Sequence, residues 1–298
     1  MNSNGVFNYM SENSCNSLFR NGKVLTKRDI NGSDAGSLGI NLEKKKMQVM
    51  NARDQIGNKE ISLDKNGFEM IPCNINHLNL DFFNNREVLD RYYVHCADFI
   101  KDRTGAKNVY AFDHNIRSAS GKKTKKMIKG GQQVQGPAHI VHGDYTLTSA
   151  PERLRQLAKP AGKNDTLRLI LGKSNSLLSQ DCVNEALSNG RFAIINLWRN
   201  IVEYPVEINP IALCDASTVS PDDLVVFEIH YTDRIGENYF AKHNKNHEWY
   251  YFNKITKHEA LLIKQWDSHG SIAKSNGKLS DNESLDNPCT FSLSLIHI

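Results

Sequence analysis

A chain of 298 residues is long enough to bury an ample core without disulfide or metal staples. Its 37 basic and 33 acidic side chains leave a net charge of only +4, which argues against nucleic acid or an anionic membrane as the partner. Six cysteines with no C-x-x-C pair read as reduced thiols of a cytoplasmic protein, and neither a leader-like N-terminus nor an apolar run of about 20 residues is present.

Residues 1–45 are rich in Asn, Ser, Gly and Lys and are expected to form an extended arm laid over the body. Residues 46–298 are expected to form a single domain. Strand-like text begins at Met47-Gln48-Val49-Met50. Over 84–103, Val88, Leu89, Tyr92, Cys96, Phe99 and Ile100 recur at helical spacing, and Gly105 supplies a stop. Lys107–Phe112 reads as a strand. The basic run Lys122, Lys123, Lys125, Lys126 and Lys129 has no interleaved aromatics and reads as a solvated loop.

Beyond it, Ser149-Ala150-Pro151-Glu152 has a capping-box pattern opening a short helix through Leu157, and Asp181 is placed as the cap of another through Leu187. Leu167–Leu171, Arg191–Trp198, Leu224–Tyr231, Asn238–Lys242 and Glu248–Phe252 read as strands. Thr256-Lys257-His258-Glu259 is a capping box that predicts a helix through Trp266. Asp222-Asp223 after Ser220-Pro221 reads as a turn or cap, and His243 and His247 as exposed loop histidines. No glycine-rich phosphate loop is present. The balance is mainly β with helical decoration (α+β), as in a sandwich or jelly roll.

One triplet carries chemistry. His142-Gly143-Asp144 is the single His-x-Asp/Glu in the chain, and on a strand residues two apart project on one face. An imidazole beside a carboxylate is two-thirds of the 2-His-1-carboxylate triad of non-haem iron oxygenases. The other reading is a hydrogen-bonded structural pair. Asn196-Leu197-Trp198-Arg199 closes another apolar strand. Arg199, suited to gripping a carboxylate, is expected to face the same cavity, with Trp198 on the opposite side.

Together, Val141-His142-Gly143-Asp144-Tyr145-Thr146, Asn196-Leu197-Trp198-Arg199, Pro210–Asp215, Asp222–Val225, His247–Phe252, Glu259–Lys264 and Trp266-Asp267-Ser268 resemble the CmcJ/NvfI-type oxidoreductases, the AsaB-like hydroxylase/desaturase family. Phe7-Asn8-Tyr9, Asn51-Ala52-Arg53, Ser62-Leu63-Asp64, Gly67-Phe68 and Thr104-Gly105-Ala106 extend the likeness along most of the chain. The resemblance implies a double-stranded β-helix and oxidation of a small molecule with Fe(II) and 2-oxoglutarate, by hydroxylation or desaturation. It places His142 and Asp144 on the first two metal ligands and Arg199, Asn196 and Tyr145 in the cofactor or substrate pocket.

Two departures stand out. Asn200 occupies the place where the family's Asn-Leu-Trp-Arg is followed by Pro. The family's closing strand carries a His in a His-x-Ala-Phe context, followed by Arg-x-Ser-Ile-Glu. Here Pro288–Leu293 resembles its lead-in, but Ser294-Leu295-Ile296-His297-Ile298 follows. The third His ligand and final strand are therefore expected to be missing, since the flanks of His297 do not match. The alternative reading is a metal-free jelly-roll partner or binding protein, as in a two-protein methoxylation system.

Overall fold

The computed structural model describes residues 3–30, 34–55, 61–131, 133–162, 165–284 and 286–296. Among these, the strands in chain order are β1 (Ser3–Met10), β2 (Leu25–Arg28), β3 (Asp34–Leu38), β4 (Leu42–Asn51), β5 (Phe68–Pro72), β6 (His142–Gly143) and β7 (Ala193–Trp198). There follow β8 (Ile211–Cys214), β9 (Leu224–His230), β10 (Ile235–Ala241), β11 (Trp249–Tyr251), β12 (Glu259–Asp267) and β13 (Ser294–Ile296). They build a large sheet in the order β1-β4-β11-β8-β13-β6-β10-β9-β2-β3 and a small sheet β5-β12-β7. Apolar side chains of both sheets meet: Ile211, Leu213 and Tyr250 of the large sheet cluster with Phe68, Leu261 and Ile263 of the small one. This is the jelly-roll-like β-sandwich expected from the pattern of short strands.

The N-terminal residues are not an arm. β1 pairs antiparallel with β4 from Ser3↔Val49 to Met10↔Leu42, and Phe7 and Tyr9 are fully buried. Their i, i+2 spacing is a strand signal that the polar composition around it hides. Phe7 packs edge-on against Trp249 at 4.7 Å.

The helix near residue 90 forms as expected. It runs through Asn85–Glu87, a π-helical stretch Val88–Tyr92 and Tyr93–Thr104, ending at Gly105 with φ +67°. The helix Gln180–Ser188 is capped by Ser179, whose Oγ accepts from the Cys182 N–H, rather than by Asp181. The basic run lies on the surface wherever its side chains are described.

Three secondary-structure expectations fail. Lys107–Phe112 forms no strand, and Leu167–Leu171 contains the short helix Arg168–Leu171. Half of the capping box at Thr256 forms, with the Thr256 N–H donating to Glu259 Oε2 at 2.9 Å, but Thr256 Oγ1 donates to the same carboxylate and strand β12 follows. β12 is the central strand of the small sheet and is covered on both faces, and its apolar run Ala260–Ile263 has no alternation by which periodicity could separate it from a buried helix. No helix among the described residues is long and apolar enough to cross a membrane.

Candidate metal site

β6 is two residues long, and its neighbours define its faces. His142 pairs with Phe240 of β10 on one side and with Ser294 of β13 on the other, and Ser294 also pairs with Leu213 of β8. Directly paired residues share a face, so Phe240, His142, Ser294 and Leu213 form a row across four adjacent strands. Gly143 points the other way. A Cβ there would meet the Phe291 ring at 3.3 Å and Leu293 at 3.6 Å, so the residue between His142 and Asp144 must be small.

His142 Nδ1–H donates to the carbonyl of Ile140 at 2.8 Å, and Nε2 lies 3.4 Å from Asp144 Oδ1. Asp144 Oδ2 accepts from Asn196 Nδ2 at 2.9 Å, and the Asp144 backbone N–H donates to Gln265 Oε1 at 3.1 Å. The β12–β7 register shifts between Lys264 and Trp266, a bulge that contains Gln265. The side chains of His142 and Asp144 are 16% and 35% accessible, so the pair is partly open to solvent rather than enclosed in the core.

Burial works against both charges, but each partner outweighs it. The imidazole of His142 is held above its ordinary range by Asp144 against the opposing charge of Arg117, and the carboxyl of Asp144 below its own by His142, Asn196 and Arg117. The donor set suits a divalent transition metal. With metal–ligand bonds of about 2.1 Å, the 3.4 Å separation of Nε2 and Oδ1 corresponds to an angle of about 110° at the metal. Two coordination positions fit. Among the described residues, no group of three or more His, Cys, Asp or Glu is arranged to hold a metal, and His297 lies outside those residues.

Asn196 therefore reaches the pair. Arg199 does not, and its expected orientation is reversed. On β7, Asn196 and Trp198 share the face toward Asp144 and the inter-sheet cluster, whereas Leu197 and Arg199 face the helix that carries Tyr92. Arg199 is buried, donating to Tyr92 Oη at 2.7 Å, to the carbonyls of Cys73 and Lys257 at 3.3 and 3.1 Å, and to Cys73 Sγ at 2.9 Å. Tyr145 is partly buried against the core. Burial raises its phenol pKa, and its side-chain hydrogen bond runs to Arg153.

Arg117, missed in the sequence, is the cation whose charge reaches both Asp144 and His142, and its Nη1 donates to the Gly136 carbonyl at 2.9 Å. Its segment has no periodicity to mark it. Gln265, also missed, left a trace as a polar residue inside an apolar run. His247 is not an exposed loop residue: it is buried, with Nδ1 3.1 Å from Tyr9 Oη and Nε2 3.1 Å from Asp223 Oδ2. Asp223 does serve as a cap, in a capping box with Ser220.

Comparison with known proteins shows the family and the fold. A relative from Methylophilus leisingeri, named only as an uncharacterized protein in the dcmA 3′ region, is 41% identical over 195 residues, covering 65% of this chain and 88% of its own. The hydroxylase/desaturase efuI of Hormonema carpetanum is 25% identical over 283 residues, covering 85% and 86%. In three dimensions the chain superposes on the iron and alpha-ketoglutarate-dependent endoperoxidase NvfI with a TM-score of 0.69 and 19% identity, over 99% of this chain and 90% of that one. The family model described as "Oxidoreductase/YMDC permease-like domain" matches residues 7–289, and the chain belongs to that family.

Proposed function

We propose that this protein is a non-haem Fe(II)/2-oxoglutarate-type oxidoreductase that hydroxylates or desaturates a small, secondary-metabolite-like molecule in the cytoplasm. The observation that carries this reading is the pairing of His142 Nε2 with Asp144 Oδ1 at 3.4 Å, partly open to solvent, with Nδ1 already committed to Ile140. The names of the hydroxylase/desaturase relative and of the endoperoxidase point the same way.

His142 and Asp144 would hold the iron, which with 2-oxoglutarate supplies the oxidising power when bound. Asn196 and Gln265 act one layer out. Asn196 occupies Asp144 Oδ2 and so turns Oδ1 toward His142, while Gln265 fixes the backbone of Asp144. Arg117 is the cation placed to meet a carboxylate at the rim, the role Arg199 cannot take while buried behind β7.

The test is Co(II) and Fe(II) titration of the full chain, then oxygen uptake with 2-oxoglutarate. Binding at one site that disappears in His142→Ala and Asp144→Ala supports the reading; identical binding by those variants sinks it. The absence of a third ligand among the described residues favours one second reading, a metal-independent binding module with a protein partner. Small-molecule or partner binding that is indifferent to chelators and to both substitutions would establish it instead.

A further inference from the structure

β12 carries a charged pair that a regular strand could not make. Lys264 Nζ donates to Asp267 Oδ2 at 2.9 Å, and both side chains are almost wholly buried. Residues three apart on a regular strand point to opposite faces and stand about 10 Å apart along it. Lys264 and Asp267 meet because the β12–β7 register slips between them. Lys264 pairs with Ile195 and Trp266 with Ile194, which leaves Gln265 as the extra residue. Gln265 is itself buried, and its Oε1 accepts from the Asp144 N–H at 3.1 Å. The charged pair therefore spans the bulge, and the bulge presents the side chain that holds the Asp144 backbone.

The surroundings fix both ends of the pair. Lys264 N–H donates to the Gly67 carbonyl at 2.7 Å, and the Lys264 carbonyl accepts from the Ser292 N–H at 3.0 Å. Lys264 Nζ also donates to Asp64 Oδ1 at 2.8 Å. Asp267 Oδ1 accepts from Arg191 Nε and from the His269 N–H, each at 3.0 Å. A buried ion pair adds little net stability over apolar packing, because desolvation offsets the attraction; its best-attested use is to fix register.

We infer that Lys264 and Asp267 form a clamp on the β12 bulge, and that Lys264 is a positioning residue which, through Gln265, fixes where Asp144 stands. The link to metal rests on the metal-site reading above; the link to the Asp144 backbone does not.

The experiment uses the full chain and reads amide exchange at Asp144 by NMR in the metal-free protein, then Co(II) affinity. Lys264→Met keeps an unbranched side chain, and Arg191 still neutralises Asp267. Asp144 exchange should quicken roughly tenfold in Gln265→Ala and in Lys264→Met, while the β8 amides keep their protection. The double variant should be no faster than Gln265→Ala, because both changes break one link. Co(II) affinity should fall about tenfold in each single variant and no further in the double.

Exchange at the parent rate in a folded Lys264→Met overturns the inference. So do effects of the two substitutions that multiply, or a quickening shared equally by β8, which marks a general loss of stability. Should Lys264→Met not fold, Asp267→Asn carries the same test, since it keeps the size of the side chain and removes the charge that Lys264 meets. Co(II) binding unchanged in His142→Ala and Asp144→Ala, with the exchange pattern as expected, would refute the metal-site reading and leave the clamp standing. Parent-like exchange in Lys264→Met, with Co(II) binding lost in His142→Ala and Asp144→Ala, would refute the clamp alone.

Discussion

Two His–Asp pairs among the described residues have nearly the same separation: His142–Asp144 at 3.4 Å and His247–Asp223 at 3.1 Å. Around His247 both ring nitrogens are engaged. Trp249 Nε1–H donates to Tyr9 Oη at 2.8 Å, Tyr9 Oη lies 3.1 Å from His247 Nδ1, and His247 Nε2 faces Asp223 Oδ2. Asp223 also accepts from Asn244 Nδ2 and from the Ser220 N–H. Around His142, Nδ1 is committed to Ile140, and Nε2 faces only Asp144, whose side chain is partly open to solvent. The same residue types thus make a closed polar network in one place and an open donor set in the other. What separates them is how many lone pairs are already taken.

The sharpest way to break this comparison is to truncate each histidine. His247→Ala leaves Tyr9 Oη and Asp223 Oδ2 with a lost partner inside the core and should cost about 3 kcal/mol of stability. Metal affinity per folded molecule should be unchanged. His142→Ala should do the reverse, abolishing metal binding while moving the denaturation midpoint by no more than about 1 kcal/mol. Urea unfolding and Co(II) titration on both variants decide; equal stability losses would erase the distinction.

A second pair of substitutions separates the two arginines. Arg199→Ala strips donors from Tyr92 Oη and from the Cys73 and Lys257 carbonyls and should cost about 2–3 kcal/mol, with no specific effect on 2-oxoglutarate. Arg117→Ala should raise the 2-oxoglutarate requirement roughly tenfold with little change in stability. A stable Arg199→Ala that has lost 2-oxoglutarate binding would return Arg199 to the site.

These contrasts also show what the residue pattern could and could not convey. The side-by-side placement of His142 and Asp144 was legible because strand alternation links residues two apart, whereas the contact of Asn196 with Asp144, 52 residues away, was not. Arg199 was misplaced by the same rule: its parity with Leu197 was visible, but the face of β7 that meets Asp144 depends on how β12 and the Tyr92 helix pack. The predicted helix over 256–266 failed because a capping-box sequence, of which only the Thr256 N–H to Glu259 half forms, precedes a doubly covered strand. His247 looked like loop because its partners Tyr9 and Asp223 lie 238 and 24 residues away. Local text carries propensity and parity; it carries no long-range partner.

A smaller effect is expected at Asn196. Asn196→Ala frees Asp144 Oδ2 and lets the carboxylate rotate, so metal affinity should fall about tenfold with stability nearly unchanged. Asn196→Gln, which keeps the amide but displaces it, should fall between the two. No change in affinity would mean that Asp144 is oriented by its backbone contact with Gln265 alone.

The smallest effect is a pH dependence that sharpens the contrast between the pairs. Burial pushes the Asp223 carboxyl up, but the hydrogen bonds from His247, the Ser220 N–H and Asn244 outweigh it and hold its pKa below the ordinary value. A carboxyl with a depressed folded-state pKa stabilises the fold above its unfolded value of about 3.9, and that contribution is lost as pH falls through the folded value. Asp223→Asn should therefore flatten the acid side of the stability curve by about 1 kcal/mol, in a manner little affected by salt because the side chain is only 10% accessible. Asp144 is shifted in the same direction, but its side chain is 35% accessible, so solvent and salt screen its share. Asp144→Asn should leave the acid slope almost as in the parent, and a flattening as large as that of Asp223→Asn would place both pairs in the same closed class.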